Sequence, residues 1–258
     1  MNIIVCVKQV PSSNEVRLDP VTNTIVRDGR AAVINPFDSH ALEAALCLRE
    51  RLGGTVSVFS MGIPACSAML RDCIARGADR AMLLTDRAFA GADTLATSYA
   101  LSLGAKKLAP FDLILCGRMA VDGDTAQIGP ELAERLDIPH VTDVFDIEPG
   151  QDCLFVRRET DDGVERLRVP LPALLTVTRE LGNPRLPSIT GVLHGEQSEV
   201  TVLSAQDANA DPDQCGLSGS PTQVTQTFVP QGRGQARSID GTAAEQAAAI
   251  ADIIGEVL

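Results

Sequence analysis

The chain opens on a short apolar block, Ile3–Val7, and from there apolar blocks alternate with segments of helical period. Thr55–Met61, Ala81–Leu84 and Phe111–Cys116 are further apolar runs, short and bounded by turn residues, which reads as buried strands. Between them, Ser39–Leu52 places Leu42, Ala45, Leu46 and Arg49 at helical spacing and stops at Gly53-Gly54. Ala65–Ala75 is a helix closed by Gly77. Asp93–Leu108 is another, with Asp93 or Thr94 as its cap, and a fourth runs up to Leu136. This strand–helix alternation predicts a parallel sheet with helices on both faces, an α/β, Rossmann-like fold.

After Leu136 the pattern changes. Val141–Ile147, Cys153–Glu159 and Val164–Val169 are separated by Pro149-Gly150 and by the hairpin turn Asp161-Asp162-Gly163, which predicts an antiparallel addition. Leu171–Val177 returns to a buried strand. Residues 179–197 hold two Pro-flanked turns and little periodicity. Residues 205–238 are rich in Gln, Gly, Ser, Asp and Pro and read as an extended arm. A last helix, Thr242–Val257, aligns Ala249, Ile250, Ile253, Ile254 and Val257; such a stripe either docks on a partner or folds back on its own domain. The expected division is an α/β domain, 1–204, and an arm with its helix, 205–258.

Composition narrows the function classes. A length of 258 residues suits one large domain with appendages, and an apolar share of 45% with no Trp and one Tyr supplies an aliphatic core. A net charge of −12 argues against nucleic-acid binding and against docking on anionic lipid. The seven Cys form no C-x-x-C pair, so they read as thiols in a reducing compartment, with Cys6 and Cys116 as small hydrophobes inside apolar runs. The three His lack metal-ligand spacing, and no metal site is expected. The N-terminus reads as a strand rather than a signal peptide, and no apolar run reaches membrane-spanning length.

The stretch Gly117-Arg118-Met119-Ala120-Val121-Asp122-Gly123-Asp124-Thr125-Ala126-Gln127-Ile128-Gly129-Pro130 lies between a strand and a helix. A strand, a small-residue turn and a helix N-terminus form a phosphate site, because free N–H groups and the helix dipole converge there. Asp124 or Thr125 is placed to cap the helix; Asp122 and Asp124 repel a phosphate, so they read as caps or ribose contacts. The alternative is an ordinary strand-to-helix connection. Ligands of open α/β sheets sit beyond the carboxyl ends of the strands. That rule nominates Cys6–Gln9, Ser60–Gly62 and the loop Asp86–Thr94. Asn35-Pro36-Phe37-Asp38 offers backbone contacts, or else only starts a helix capped by Asp38 or Ser39. Lys8 and Arg87 read as charge partners. There is no G-x-S-x-G and no G-x-x-x-x-G-K-[ST], so any chemistry belongs to a bound cofactor, and a regulatory or ATP-hydrolysing module has only the fold in its favour.

IIVCVKQVP, NPFDSHALEAAL, GADRAMLL, DRAFAGADTLATSY, CGRMAVDGDTAQIGPELAERL, VTRELGNPRLPSI and SGSPTQVTQTFVP follow one another in this order. In these motifs, over nearly its whole length, the chain resembles the β subunit of electron transfer flavoproteins. The resemblance implies a heterodimer with an FAD-holding α subunit and a cytoplasmic protein. In the ordinary carrier the β subunit holds AMP; in the electron-bifurcating kind it holds a second FAD that takes hydride from NADH. The electrons then divide between ferredoxin or flavodoxin and, through the α-subunit FAD, a dehydrogenase. D-G-D-T-A-Q-I-G-P with D-R-A-F-A-G-A-D-T looks like the bifurcating kind. Nucleotide contacts carried over by motif are Cys6, Asn35, Pro36, Phe37, Asp38, Met61 and Gly117 to Ile128. Arg87, Ala90, Gly91 and Thr94 fall in the loop implied to lie near a flavin. The family's partner-recognition loop follows N-E-P-R; here Gly182-Asn183-Pro184-Arg185 continues without a basic run, and Ile189 takes the place of the apolar anchor.

Overall fold

A computed structural model describes residues 1–12, 32–226 and 238–257. Two compact units divide the chain, Met1–Val224 and Thr225–Leu258. The first contains β1 (Asn2–Cys6), β2 (Gln9–Pro11), β3 (Ala32–Ile34), α1 (Pro36–Leu52), β4 (Thr55–Met61), α2 (Cys66–Ala75), β5 (Arg80–Leu84) and α3 (Thr94–Lys107). These are followed by β6 (Leu113–Gly117), α4 (Ile128–Leu136), β7 (His140–Pro149), β8 (Cys153–Thr160), β9 (Gly163–Pro170), β10 (Ala173–Val177), α5 (Ile189–Gln197) and β11 (Thr201–Leu203).

One nine-stranded sheet runs in the order β11-β5-β4-β1-β6-β10-β7-β8-β9, and β2 pairs separately with β3. From β11 to β7 every pairing is parallel; β7, β8 and β9 add the expected antiparallel extension. The chain builds outward from β1 through β4 to β5, then returns to β6 on the other side of β1. The gap between β1 and β6 is thus the topological switch point of the parallel sheet.

Alternation along the strands builds two cores. Ile3, Val5 and Val7 with Leu113 and Leu115 face α1 and α2, while Ile4, Cys6, Ile114 and Cys116 face α3 and α4. Strands covered on both faces read as continuous apolar runs, and those runs are what the sequence displays.

Three stretches differ from expectation. Helix α1 starts at Pro36 rather than Ser39, because proline's fixed φ suits the first helical position and Asn35 stands in the cap position. Within 179–197, expected to hold only turns, lies α5; Ser188 caps it, and Gly191 and Gly195 let it press against the backbone of α2. Its own sequence buries only Gly195, so no apolar stripe announces it. Residues 205–224, expected to open the arm, pack on the α/β unit with Ala208, Cys215 and Ser220 buried.

The second unit contains α6 (Ala243–Val257). Thr242 and Glu245 form a reciprocal capping box at its start. Ile250, Ile253 and Ile254 are exposed. Residues 227–237 of the expected arm, and the side chain of Val257 in the expected stripe, lie outside the described residues.

Candidate functional site

The carboxyl ends of β1, β4, β5, β6 and β10 open on one edge of the sheet, and the N-termini of α1, α2, α3 and α4 begin there. At the switch point, the carboxylate of Asp38 joins two neighbouring strands. Its Oδ2 accepts the N–H of Lys8 at 2.7 Å, where β1 ends, and its Oδ1 accepts the N–H of Gly117 at 3.1 Å, where β6 ends. A β-carbon on Gly117 would fall 2.4 Å from Asp38 Oδ1 and 2.6 Å from Phe37 Cβ, so this contact requires glycine. Asn35, fully buried, donates to the carbonyl of Met119 at 2.8 Å and accepts the N–H of Val121 at 3.2 Å. Asp38 is therefore no helix cap. Burial pushes its carboxyl up to about 7, although bonds to Asn35, Lys8 and Gly117 oppose the shift.

Beyond this clamp the turn becomes open, with every residue from Val121 to Gln127 exposed. The expected cap by Asp124 or Thr125 is not made: Gln127 occupies the cap position without a side-chain cap bond, and among the described residues no side chain bonds to the first N–H groups of α4. Asp122 is instead 2.7 Å from Lys8 Nζ. Asp124 and Ala126 hold φ of 51° and 54°, a conformation that costs a non-glycine residue roughly 1–2 kcal/mol and recurs at ligand sites. Arg118 Nε lies 2.9 Å from Asp143 Oδ1, so Arg118 of the turn and Lys8 beside it are each paired with a carboxylate.

Thr94, at the start of α3, shares its hydroxyl proton between Gln127 Oε1 at 3.2 Å and Glu131 Oε1 at 3.0 Å. This bridges the N-termini of α3 and α4. Glu131 Oε2 is buried and has no hydrogen-bond partner among the described residues. Glu131 and Asp143 were not singled out from the sequence. Glu131 sits in the first turn of α4, where an acid suits the dipole; Asp143 lies at a strand irregularity with no sequence signal.

The structure thus brings together Cys6, Asn35, Phe37, Asp38 and Gly117 to Val121 at the switch point, and Thr94 with Gln127 and Ile128 beside it. Cys6 is paired in register with Cys116, and both are buried. The neighbouring Cys6 thiol and burial together hold the Cys116 thiol well above its usual range, so Cys116 is chemically quiet packing. Phe37 is buried beneath the Arg179 guanidinium, 4.7 Å from its ring centre, and Pro36 is exposed. Met61 is half-buried at the end of β4. Arg87, Ala90 and Gly91 lie on an exposed loop that is tied to residues 204–222. Ile189 is 84% exposed and Leu186 86%; Arg185, next to Leu186, bonds bidentately to Glu43 on α1. No group of three or more His, Cys, Asp or Glu among the described residues comes together as a metal site. No helix among them is long and apolar enough to cross a membrane.

A mostly parallel sheet with helices on both faces and a strand order that reverses beside β1 places the chain in the class of doubly wound α/β proteins. Within that class the chain belongs to the electron transfer flavoprotein family, and its role is that of a β subunit in electron transfer: the family's electron transfer flavoprotein domain matches residues 22–208. It is 52% identical to electron transfer flavoprotein subunit beta of Thermoanaerobacterium thermosaccharolyticum, over 89% of this chain and 88% of the relative. To the caffeyl-CoA reductase-Etf complex subunit CarD of Acetobacterium woodii it is 47% identical, over 96% and 95%. To protein FixA of Bradyrhizobium diazoefficiens it is 42% identical, over 98% and 91%.

Proposed function

We propose that this chain pairs with an electron transfer flavoprotein α subunit and binds FAD in the crevice at the switch point, as the electron-bifurcating kind. The observation that carries this reading is the uncapped start of α4, next to two non-glycine residues at positive φ and to the cations Lys8 and Arg118. Free N–H groups at a helix N-terminus favour a diphosphate. Gly123 stands in open space, where an added β-carbon would meet nothing within 4 Å, and this leaves room for a ligand larger than AMP.

A bound flavin would supply acceptance of hydride from NADH and division of the two electrons between ferredoxin or flavodoxin and the α-subunit FAD serving a dehydrogenase. The residues of this chain bind and orient. Asp38 and Asn35 fix the path of the turn. Lys8 and Arg118 offer positive charge to phosphate in exchange for Asp122 and Asp143. The loop holding Arg87, Ala90 and Gly91 stands at the end of β5, with β4 between it and β1. Arg185, held by Glu43, presents Leu186 and Ile189 to a flavin dehydrogenase; membership of the CarD relative in a reductase complex is in keeping with such a contact. The setting is cytoplasmic.

The test is co-expression with the α subunit, a count of FAD and AMP per heterodimer, and addition of NADH. Two FAD, little AMP and flavin bleaching by NADH support the reading. One FAD, one AMP and no response to NADH would replace it with the ordinary carrier.

A further inference from the structure

The loop Asp86–Asp93 is bonded along its length to the segment that leads out of the α/β unit. Asp86 accepts the N–H of Ala205 at 3.1 Å, and the carbonyl of Ala90 accepts the N–H of Leu217 at 3.1 Å. Gly216, at φ 51°, lies so close that a β-carbon there would fall 2.3 Å from the Ala88 carbonyl oxygen. The last tie is two-sided. Asp93 Oδ1 accepts the N–H of Ala96 at 3.1 Å and so caps α3, while Oδ2 accepts both the N–H of Thr222 at 3.1 Å and its hydroxyl at 2.8 Å. The N–H of Asp93 is in turn bonded to the hydroxyl of buried Ser220 at 2.8 Å. The compact unit ends two residues after Thr222, at Val224.

From this geometry we infer that Asp93 is a positioning residue, latching the root of the C-terminal segment to the rim of the crevice so that nucleotide binding tightens the root. The inference rests on the proposed nucleotide site, since Thr94 beside Asp93 reaches the turn through Gln127. Coupling of this kind is reciprocal: whatever tightening the nucleotide gives the root, an intact root returns as nucleotide affinity.

The test is hydrogen exchange at residues 216–224 in the α/β heterodimer, freed of nucleotide and then given FAD or AMP, for the native protein and Thr222→Val. That variant removes the hydroxyl bond and leaves the cap of α3 intact; Thr222→Ser restores the bond. Titration calorimetry runs alongside. Slowed exchange on nucleotide addition, lost in Thr222→Val with about tenfold weaker binding and regained in Thr222→Ser, supports the latch. Nucleotide that binds without changing exchange at 216–224 overturns the latch and leaves the site standing. If neither nucleotide binds, the site reading fails and the coupling with it.

Discussion

Asp38 is a carboxylate sealed at the junction of two strands, and its titration is open to a quantitative test. Its carboxyl stands at about 7 instead of the ordinary 3.8, chiefly through burial. Below the ordinary value the group is protonated in both the folded and unfolded chain. Between the two values only the folded chain holds the proton, so stability falls as pH rises through this window; above about 7 the loss is complete. At about 1.4 kcal/mol per unit the full loss is on the order of 4 kcal/mol, of which roughly 3 kcal/mol falls between about pH 5 and about pH 8.

Asp38→Asn removes this titration, although its amide group then meets one of the two N–H donors from Lys8 and Gly117, a local cost of about 1–3 kcal/mol at every pH. Urea unfolding of the native heterodimer and of Asp38→Asn over this range separates the two effects. The stability difference should move by roughly 3 kcal/mol in favour of the variant as pH rises, while the offset stays fixed. Nucleotide affinity should move the other way in the native protein, because only the ionised carboxylate accepts both N–H groups and holds the turn. Parallel stability curves for the two proteins would refute the argument, since they would mean that no burial penalty resides on Asp38.

Lys8→Ala breaks a pair with Asp122 that is half open to water, so unfolding should change by less than about 1 kcal/mol. AMP and FAD affinity, read by calorimetry, should nevertheless drop about tenfold, in keeping with a lost charge-assisted bond to phosphate. Gly117→Ala forces a methyl group against Asp38 and Phe37, and a thermal melt should show a loss of about 1–3 kcal/mol.

The parallel sheet was legible because strands such as β1 and β6 are covered on both faces, which leaves an unbroken apolar run in the sequence. Helix α5 was not, because it is held by Gly191 and Gly195 against the α2 backbone, and a contact made by absent side chains leaves no apolar period. The turn at 117–128 is recognisable in the sequence as a strand-to-helix connection, yet the duties of its acids are not. Propensity alone assigns Asp124 or Thr125 to the helix cap. In the fold Asp122 finds Lys8 just past β1, a residue 114 positions away in sequence. Asp38 likewise finds Lys8 and Gly117.

These are long-range pairings that only the completed sheet creates, and they have one consequence in common. The acids of the turn make no bond to the start of α4, so the helix keeps its first N–H groups free of side-chain caps. A local rule fails here at the place where its success would close the crevice. Failures of this kind concentrate at functional sites, because a fully satisfied helix start has nothing left to offer a ligand.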